Sequence, residues 1–246
     1  MHRWTIALLG LAGLLACEPH YIAKPLPALV VAQAPTAAVV RSLLLPPGEQ
    51  LIWEVQARGL TIGRAELVVG ADEVHSKFGT NELASKFAVV HHEMTTVIDR
   101  VNAVPLRVSE LAQFDGTIRQ GAVTFDATGY RDQIHHSLPD GKSDRIHTFH
   151  TALGWLRAWA DPGAANAYLY VLAAGKLYRL DVEAPVVEDL LGTSTLRITG
   201  RALAVEKAGE PIALSIWLTN DPARTPQRLA ISVAGIRVTA ELIAAK

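Results

Sequence analysis

The sequence predicts an all-β, mainly antiparallel fold: a curved sheet or half-open barrel-like architecture with one short amphipathic helix near 148–160. Beyond Pro47, runs of alternating or β-branched residues recur about every eight to twelve positions, separated by turn residues. Helical segments between these runs, which a parallel sheet requires, are missing. Half of the 246 residues (50%) are hydrophobic, which is ample for one core.

Alternation defines the individual strands. Leu51, Trp53 and Val55 alternate with more polar neighbours, and the next run, Thr61 to Val69, has the same period. Asp115-Gly116 is a strong hairpin signal between two later runs. Further strands are predicted at Ala84 to Val90, Met94 to Val101, Leu106 to Phe114, Ile118 to Phe125, Tyr168 to Leu172, Lys176 to Val182, Leu196 to Glu206, Pro211 to Leu218, Gln227 to Val233 and Arg237 to Ile243.

One segment has a helical period instead. Its apolar residues recur every three or four positions and share one helix face: Phe149, Leu153, Leu156 and Trp159. Thr148 or Thr151 can cap the start, and Asp161-Pro162-Gly163 ends the helix. We expect this helix to cover an opening or an edge of the curved sheet.

The N-terminus has the pattern of a secretory signal. A positively charged start precedes an apolar run that is too short for a permanent membrane span of about 20 residues. Leu14-Leu15-Ala16-Cys17 resembles the lipobox of bacterial lipoproteins, which implies that the Cys17 thiol carries lipid after cleavage. The alternative is that Cys17, the only cysteine, is an ordinary residue of a signal peptide. By the same resemblance, Glu18 points to the outer membrane, on its periplasmic face.

Three regions follow from these patterns. Residues 1–16 are the predicted signal peptide, 17–45 a lipidated cysteine with a Pro/Ala-rich spacer, and 46–246 the β-rich domain. The valines of the spacer leave a second interpretation open, in which Ala37-Ala38-Val39-Val40 docks on the domain or forms a short strand.

A series of ordered blocks is similar to the bacterial domain-of-unknown-function family numbered 3108. These blocks are PPGEQLIWEVQARGLTIGRAELVV, NAVPLRVSELAQFDGTIRQGAVTFD, TALGWLRAW, GKLYRLDV and IWLTNDPARTPQRLAISVAGIRVTAEL. Trp53 stands in place of a common tyrosine, and Thr148 in place of an expected aspartate, and both keep the structural role. The resemblance implies a secreted β-rich domain and supplies no reaction.

The sequence offers no clear catalytic, metal or cofactor site. It lacks a Gly-x-Ser-x-Gly elbow, and no spacing singles out a pair of carboxylates. His147 and His150 would face together on a helix, but the sequence names no further zinc ligand. The most polar block carries Asp221, Arg224 and Arg228, which can bind a charged ligand or serve the hairpin turn.

Two functional hypotheses therefore remain, and both describe a non-enzymatic lipoprotein of the bacterial envelope. In the first, an apolar interior lined by Trp53, Trp155, Trp159 and Tyr170 binds a lipid or another apolar ligand. In the second, the interior is packed solid and the protein is a non-binding scaffold or an interaction lipoprotein of the cell envelope. A hydrolase is a remote third alternative. The charges, 23 basic against 24 acidic residues, show no basic cluster for nucleic acid.

Overall fold

The computed structural model describes residues 35–37, 40–137, 146–206, 209–233 and 235–246, and these form one sheet with two helices. The helices are α1 (Glu82–Ser85) and α2 (Phe149–Trp159). The strands are β1 (Thr36–Ala37), β2 (Gln50–Ala57), β3 (Leu60–Val69), β4 (Glu73–Thr80), β5 (Val90–Asp99), β6 (Val104–Phe114), β7 (Thr117–Asp126), β8 (Gly129–Arg131), β9 (His135–Ser137), β10 (Ile146–His147), β11 (Ala167–Ala173), β12 (Lys176–Val182), β13 (Val186–Leu190), β14 (Thr193–Ala204), β15 (Ile212–Thr219), β16 (Pro226–Val233) and β17 (Ile236–Ala245). The predicted all-β fold class is confirmed.

The sheet follows the order of the chain. Strands consecutive in sequence pair from β2 to β9 and from β10 to β17, except that β12 and β13 pair with different parts of β14, and β17 returns to pair with β2. The pairings are antiparallel except those of β1 and β10, which both run parallel to β11. One edge of the described sheet is therefore formed by β1 and β10, and the other edge by β9.

The sheet is rolled so that its two ends overlap. Leu169 of β11 packs with α2 on the inner face, whereas its neighbour Tyr170 points to the outer face. On that outer face Tyr170 packs with Tyr130 of β8 and Phe125 of β7. The β7–β8 end thus covers the outside of β11 and β12 through apolar side-chain contacts.

Helix α2 was expected to cover an opening or an edge of the curved sheet, and it lies inside the rolled sheet. Eight consecutive residues, 150–157, are buried, so the helix is covered on every side. Trp155 and Leu156 pack against β11, β12, β14 and β15, whereas Leu153 packs against β2 to β5. Thr148 is the N-cap, as predicted, and its hydroxyl accepts the Thr151 backbone N–H.

A segment from the predicted spacer covers the remaining side of α2. The Leu44 N–H donates to the Gly154 carbonyl at 3.0 Å, and Leu45, only 1% exposed, belongs to the core. A Cβ at Gly154 would lie 2.6 Å from Leu45 Cγ, so the helix needs a glycine at this crossing. Packing therefore begins before the predicted boundary at residue 46, because Leu43 and Leu45 complete the burial of α2. Of the segment Ala37-Ala38-Val39-Val40, Ala37 belongs to the short strand β1 and Val40 packs against the core, whereas residues 38 and 39 lie outside the described residues.

Two strand predictions need correction. The segment Ala84 to Val90 is not a strand: Asn81 accepts the Ala84 N–H on its side chain at 2.8 Å and starts the one-turn helix α1. Strand β4, by contrast, was missed, because its alternation is broken by polar and charged residues. The hairpin at Asp115-Gly116 is confirmed, with both residues at positive φ (45° and 81°).

Replacing Leu45 by alanine should lower the free energy of unfolding by about 2 to 5 kcal/mol, since it removes a fully buried side chain against α2. Leu60→Ala is the matched control, because Leu60 is 63% exposed, and its effect should stay within about 0.5 kcal/mol. Urea denaturation measures both. Equal effects of the two substitutions would contradict the assignment of residues 43–45 to the core.

Candidate functional site

The interior of the rolled sheet has two unlike ends. We call the end that contains the starts of β2 and β16 the helix end, since α2 reaches it: the Ala160 carbonyl there accepts from the Arg224 side chain. We call the opposite end, with the turns at 58–59, 115–116 and 174–175, the open end. On the inner face near the helix end, Leu196, Ile198 and Leu218 are 0% exposed.

Towards the open end the inner face remains apolar but is only half-buried. Ile212 pairs with Ala202 across β15 and β14, and Leu214 pairs with Ile231 across β15 and β16, so these residues continue the inner face. Because α2 starts halfway along the sheet, it leaves this part of the inner wall partly accessible. We call the following set the open-end apolar face: Ala202, Ile212, Leu214, Ile231, Val238 and Ala240.

A polar pair lies on the inner face of β5 and β6. His92 and Glu110 are joined by a contact of 2.6 Å between Nε2 and Oε1, and their side chains are 21% and 25% exposed. Both point inward, because His92 lies on the same face of β5 as buried Met94 and Glu110 pairs with Met94 across β5 and β6. The inner face therefore carries apolar side chains together with an accessible polar pair, which is a chemical environment suited to an amphiphilic molecule.

A buried hydroxyl network fixes the start of α2. The His150 ring is fully buried, and its two nitrogens lie 2.8 Å from Thr96 Oγ1 and 2.8 Å from Ser76 Oγ. Thr96 Oγ1 also lies 3.1 Å from Thr148 Oγ1, at the helix N-cap. Burial lowers the pKa of His150 to about 3, with further lowering from the nearby His75 and His92, so the ring is neutral.

The sequence predicts that His147 and His150 face together as possible zinc ligands. Both residues are buried, but the two ring nitrogens of His150 are each taken by a hydroxyl. No group of three or more metal-ligating side chains occurs in the described part of the chain. Through these contacts, His150 holds α2 against β4 and β5.

A buried ion pair fixes the other end of α2. Arg157, 1% exposed, donates to both carboxylate oxygens of Glu49 at 2.6 and 2.7 Å. Two further N–H groups donate to the carbonyls of Ala223 and Arg224. A buried guanidinium requires hydrogen-bond partners, and the turn between β15 and β16 and the residue before β2 supply them for four of its five N–H groups.

The structure distributes the four predicted lining aromatics over three clusters. Trp53 is buried beside β3 and donates its indole N–H to the Pro226 carbonyl at 3.1 Å. Trp155 and Trp159 stack at 5.6 Å on α2, and Tyr170 lies on the outer face, in the overlap of the two sheet ends. The four side chains do not converge on one space.

The predicted polar cluster is likewise divided. Asp221 accepts the backbone N–H groups of Ala223 and Arg224 within its turn. Arg224 donates to the Ala160 carbonyl, whereas Arg228 pairs with Glu241 at 2.9 Å across β16 and β17. Each member has a structural partner. Cys17, the predicted lipid attachment site, lies outside the described residues.

Comparison with solved structures of other proteins finds similar chains. The β-barrel-like protein of domain of unknown function DUF1849 from Brucella abortus superposes with a TM-score of 0.60 at 12% identity, covering 85% of this chain and 99% of that chain. A DUF1089 family protein from Pseudomonas aeruginosa gives 0.42 at 14% identity, covering 69% and 90%. The lipoprotein LppX from Mycobacterium tuberculosis gives 0.28 at 10% identity, covering 80% and 85%. The first superposition shows a shared β-barrel-like fold.

Comparison by sequence finds no relative. No protein-family model matches the chain, and no curated protein matches it significantly. The resemblance to the family numbered 3108 therefore stays a prediction. Among the described residues, neither helix is long and apolar enough to cross a membrane.

Replacing His150 by glutamine should flatten the pH dependence of stability. The folded-state pKa lies below the unfolded value of about 6.5, so the unfolded chain binds the proton first as the pH falls. The contribution of neutral His150 is complete above about pH 6.5 and is lost between about 6.5 and 3, by up to about 1.4 kcal/mol per pH unit. Urea midpoints at a series of pH values measure this.

His91→Gln is the matched control, because His91 is accessible and pairs with Glu93 at the surface. Its pH profile should follow that of the unsubstituted protein. If His150→Gln retained the original slope below pH 6.5, His150 would not be a buried neutral imidazole.

Proposed function

We propose that this protein is a non-enzymatic lipoprotein of the bacterial cell envelope that binds an apolar ligand, such as a lipid acyl chain, at the open end of its rolled sheet. The open-end apolar face carries this proposal. Six inward-pointing apolar side chains are left half-buried there, whereas their counterparts at the helix end are closed off by α2. A concave apolar wall with a few polar groups is the usual form of a small-molecule site.

The His92–Glu110 pair gives the same site a polar component. Its members can hydrogen-bond the polar end of an amphiphile while the chain of that ligand covers Leu214 and Ile231. Burial of each methylene group contributes about 0.8 kcal/mol, so a bound acyl chain would be held mainly by apolar contact. No residue of this site is assigned a catalytic step.

The envelope location rests on the sequence. The lipobox-like Leu14-Leu15-Ala16-Cys17 supports lipid attachment, and Glu18 supports the outer membrane with the domain facing the periplasm. The resemblance to the family numbered 3108 supports a secreted β-rich domain.

A scaffold that binds an envelope protein is the second candidate. The dense packing of α2 between two large clusters favours it, because the helix end has the character of a solid core. The two candidates differ at the open end, which a scaffold would not need to keep free.

Replacing Cys17 by serine should abolish incorporation of radioactive palmitate and release the protein from the membrane fraction. The thiol is the only acyl acceptor that the lipobox resemblance provides. Ala38→Ser, in the spacer, is the control and should be labelled normally. Undiminished palmitate labelling of Cys17→Ser would contradict the anchor.

Native mass spectrometry of protein extracted gently from its own envelope should show a stoichiometric apolar ligand. Leu214→Gln should lower its occupancy about tenfold, since a polar amide would replace an apolar contact. Leu203→Gln is the matched control: Leu203 is on the adjacent strand but points outward and is 40% exposed. A ligand-free protein, or equal loss in both variants, would favour the scaffold.

A further inference from the structure

A group of exposed apolar side chains surrounds part of the open end. They come from the β2–β3 turn, from α1 and the loop after it, and from the β6–β7 turn. We call them the apolar rim: Leu60 (63% exposed), Leu83 (58%), Phe87 (72%), Val89 (43%) and Ile118 (64%).

Hydrogen bonds hold the segments of the rim together. The Asn81 side chain donates to the Thr61 carbonyl at 2.8 Å, which ties α1 to the start of β3. On the other side, the backbone of Val89 and that of Asp115 are linked by a bond of 2.9 Å, and the Asp115 carboxylate accepts the Val89 N–H. The rim is therefore a fixed feature of the fold rather than a set of independent loops.

Basic residues accompany the apolar ones. Arg58 lies in the β2–β3 turn, Lys86 follows α1, and Arg237 lies at the start of β17, whose Val238 pairs with Ala57 beside the turn. All three are exposed. The exposed acids of the rim segments are Glu82 and Asp115, so three basic residues accompany two acidic ones. Two more exposed acids, Glu206 and Glu210, lie in the connection between β14 and β15 at the same end of the sheet. Exposed apolar side chains with adjacent basic charge are typical of surfaces that insert into the interface of an anionic bilayer.

We propose that the apolar rim docks the open end on a membrane that contains anionic lipids. The apolar side chains would enter the acyl boundary while Arg58, Lys86 and Arg237 contact the headgroup phosphates. In this position the open-end apolar face is next to the bilayer. This inference rests on the proposed function, because binding of an acyl chain gives the protein a reason to dock. In the docked position an acyl chain could pass between membrane and protein without crossing water.

The proposed anchor is compatible with this orientation. Thr36 pairs with Ala167, at the helix end, so the tether leaves the domain opposite the rim. Residues 18–34 add seventeen residues, with a maximum span of about 55 to 60 Å at 3.3–3.6 Å per residue. A ten-residue strand is only about 33 Å long. The tether is therefore long enough for the rim to reach the anchoring membrane or an opposing one.

A probe at Phe87 tests the docking. The full chain isolated from bacterial membranes is labelled at Phe87→Cys with a polarity-sensitive fluorophore and mixed with vesicles. We expect a blue shift, and quenching by brominated acyl chains, with vesicles of phosphatidylcholine that include phosphatidylglycerol. The matched control is Leu191→Cys, which is 86% exposed but lies in a turn at the helix end, and its emission should not change.

The double substitution Arg58→Glu and Lys86→Glu tests the charge. It should reduce the vesicle partitioning of the labelled rim by about tenfold or more, and only with the anionic vesicles. Equal signals at positions 87 and 191, or no change at 87 with either kind of vesicle, would overturn the proposal. A blue shift at 87 that depends on protein concentration without vesicles would identify a second copy as the occupant instead.

Treating the unsubstituted chain with the same fluorophore tests the docking proposal separately from the proposed lipid attachment at Cys17. An acylated Cys17 cannot react, so label in that sample would show that the lipid assignment has failed. The docking test would then be repeated in a chain with Cys17→Ala, where its outcome depends on the rim alone.

Discussion

The burial of α2 on every side is the constraint on which the rest of the structure depends. A sheet covered by a surface helix needs only one apolar stripe on that helix. Here Leu153 faces β2 to β5, Trp155 and Leu156 face β11 to β15, and Gly154 faces residues 43–45. The sheet must roll far enough to enclose the helix, and the overlap of β7–β8 with β11–β12 follows from that rolling.

Enclosing the helix also encloses two ionisable side chains, and each is compensated in a different way. Arg157 is held by both carboxylate oxygens of Glu49 and by two carbonyls, which accept four of its five N–H groups. His150 has no carboxylate partner and is neutral, between two hydroxyls. A single unmatched group at either position would cost several kcal/mol, so these contacts fix the position of the helix along the barrel axis.

The length of α2 divides the interior. Eleven residues at about 1.5 Å each extend roughly 16 Å, about half the length of the strands around them. The half that contains the helix is a closed core. The other half leaves apolar side chains partly accessible, and it is surrounded by the apolar rim. The binding hypothesis and the docking hypothesis thus concern one end of the molecule.

The sequence by itself determined the antiparallel β fold, the helix with its Thr148 cap and the hairpin at Asp115-Gly116, because these depend on local period and turn chemistry. It also indicated apolar strands such as Pro211 to Leu218, which contributes Ile212 and Leu214 to the open-end apolar face. Only the tertiary structure decided which of those side chains α2 covers. The sequence predicted that four aromatic side chains line the apolar interior: Trp53, Trp155, Trp159 and Tyr170. In the structure they belong to closed, packed clusters instead. The rolling of the sheet, the capture of Leu45 and the division of the interior depend on contacts between residues distant in sequence, which local patterns do not encode.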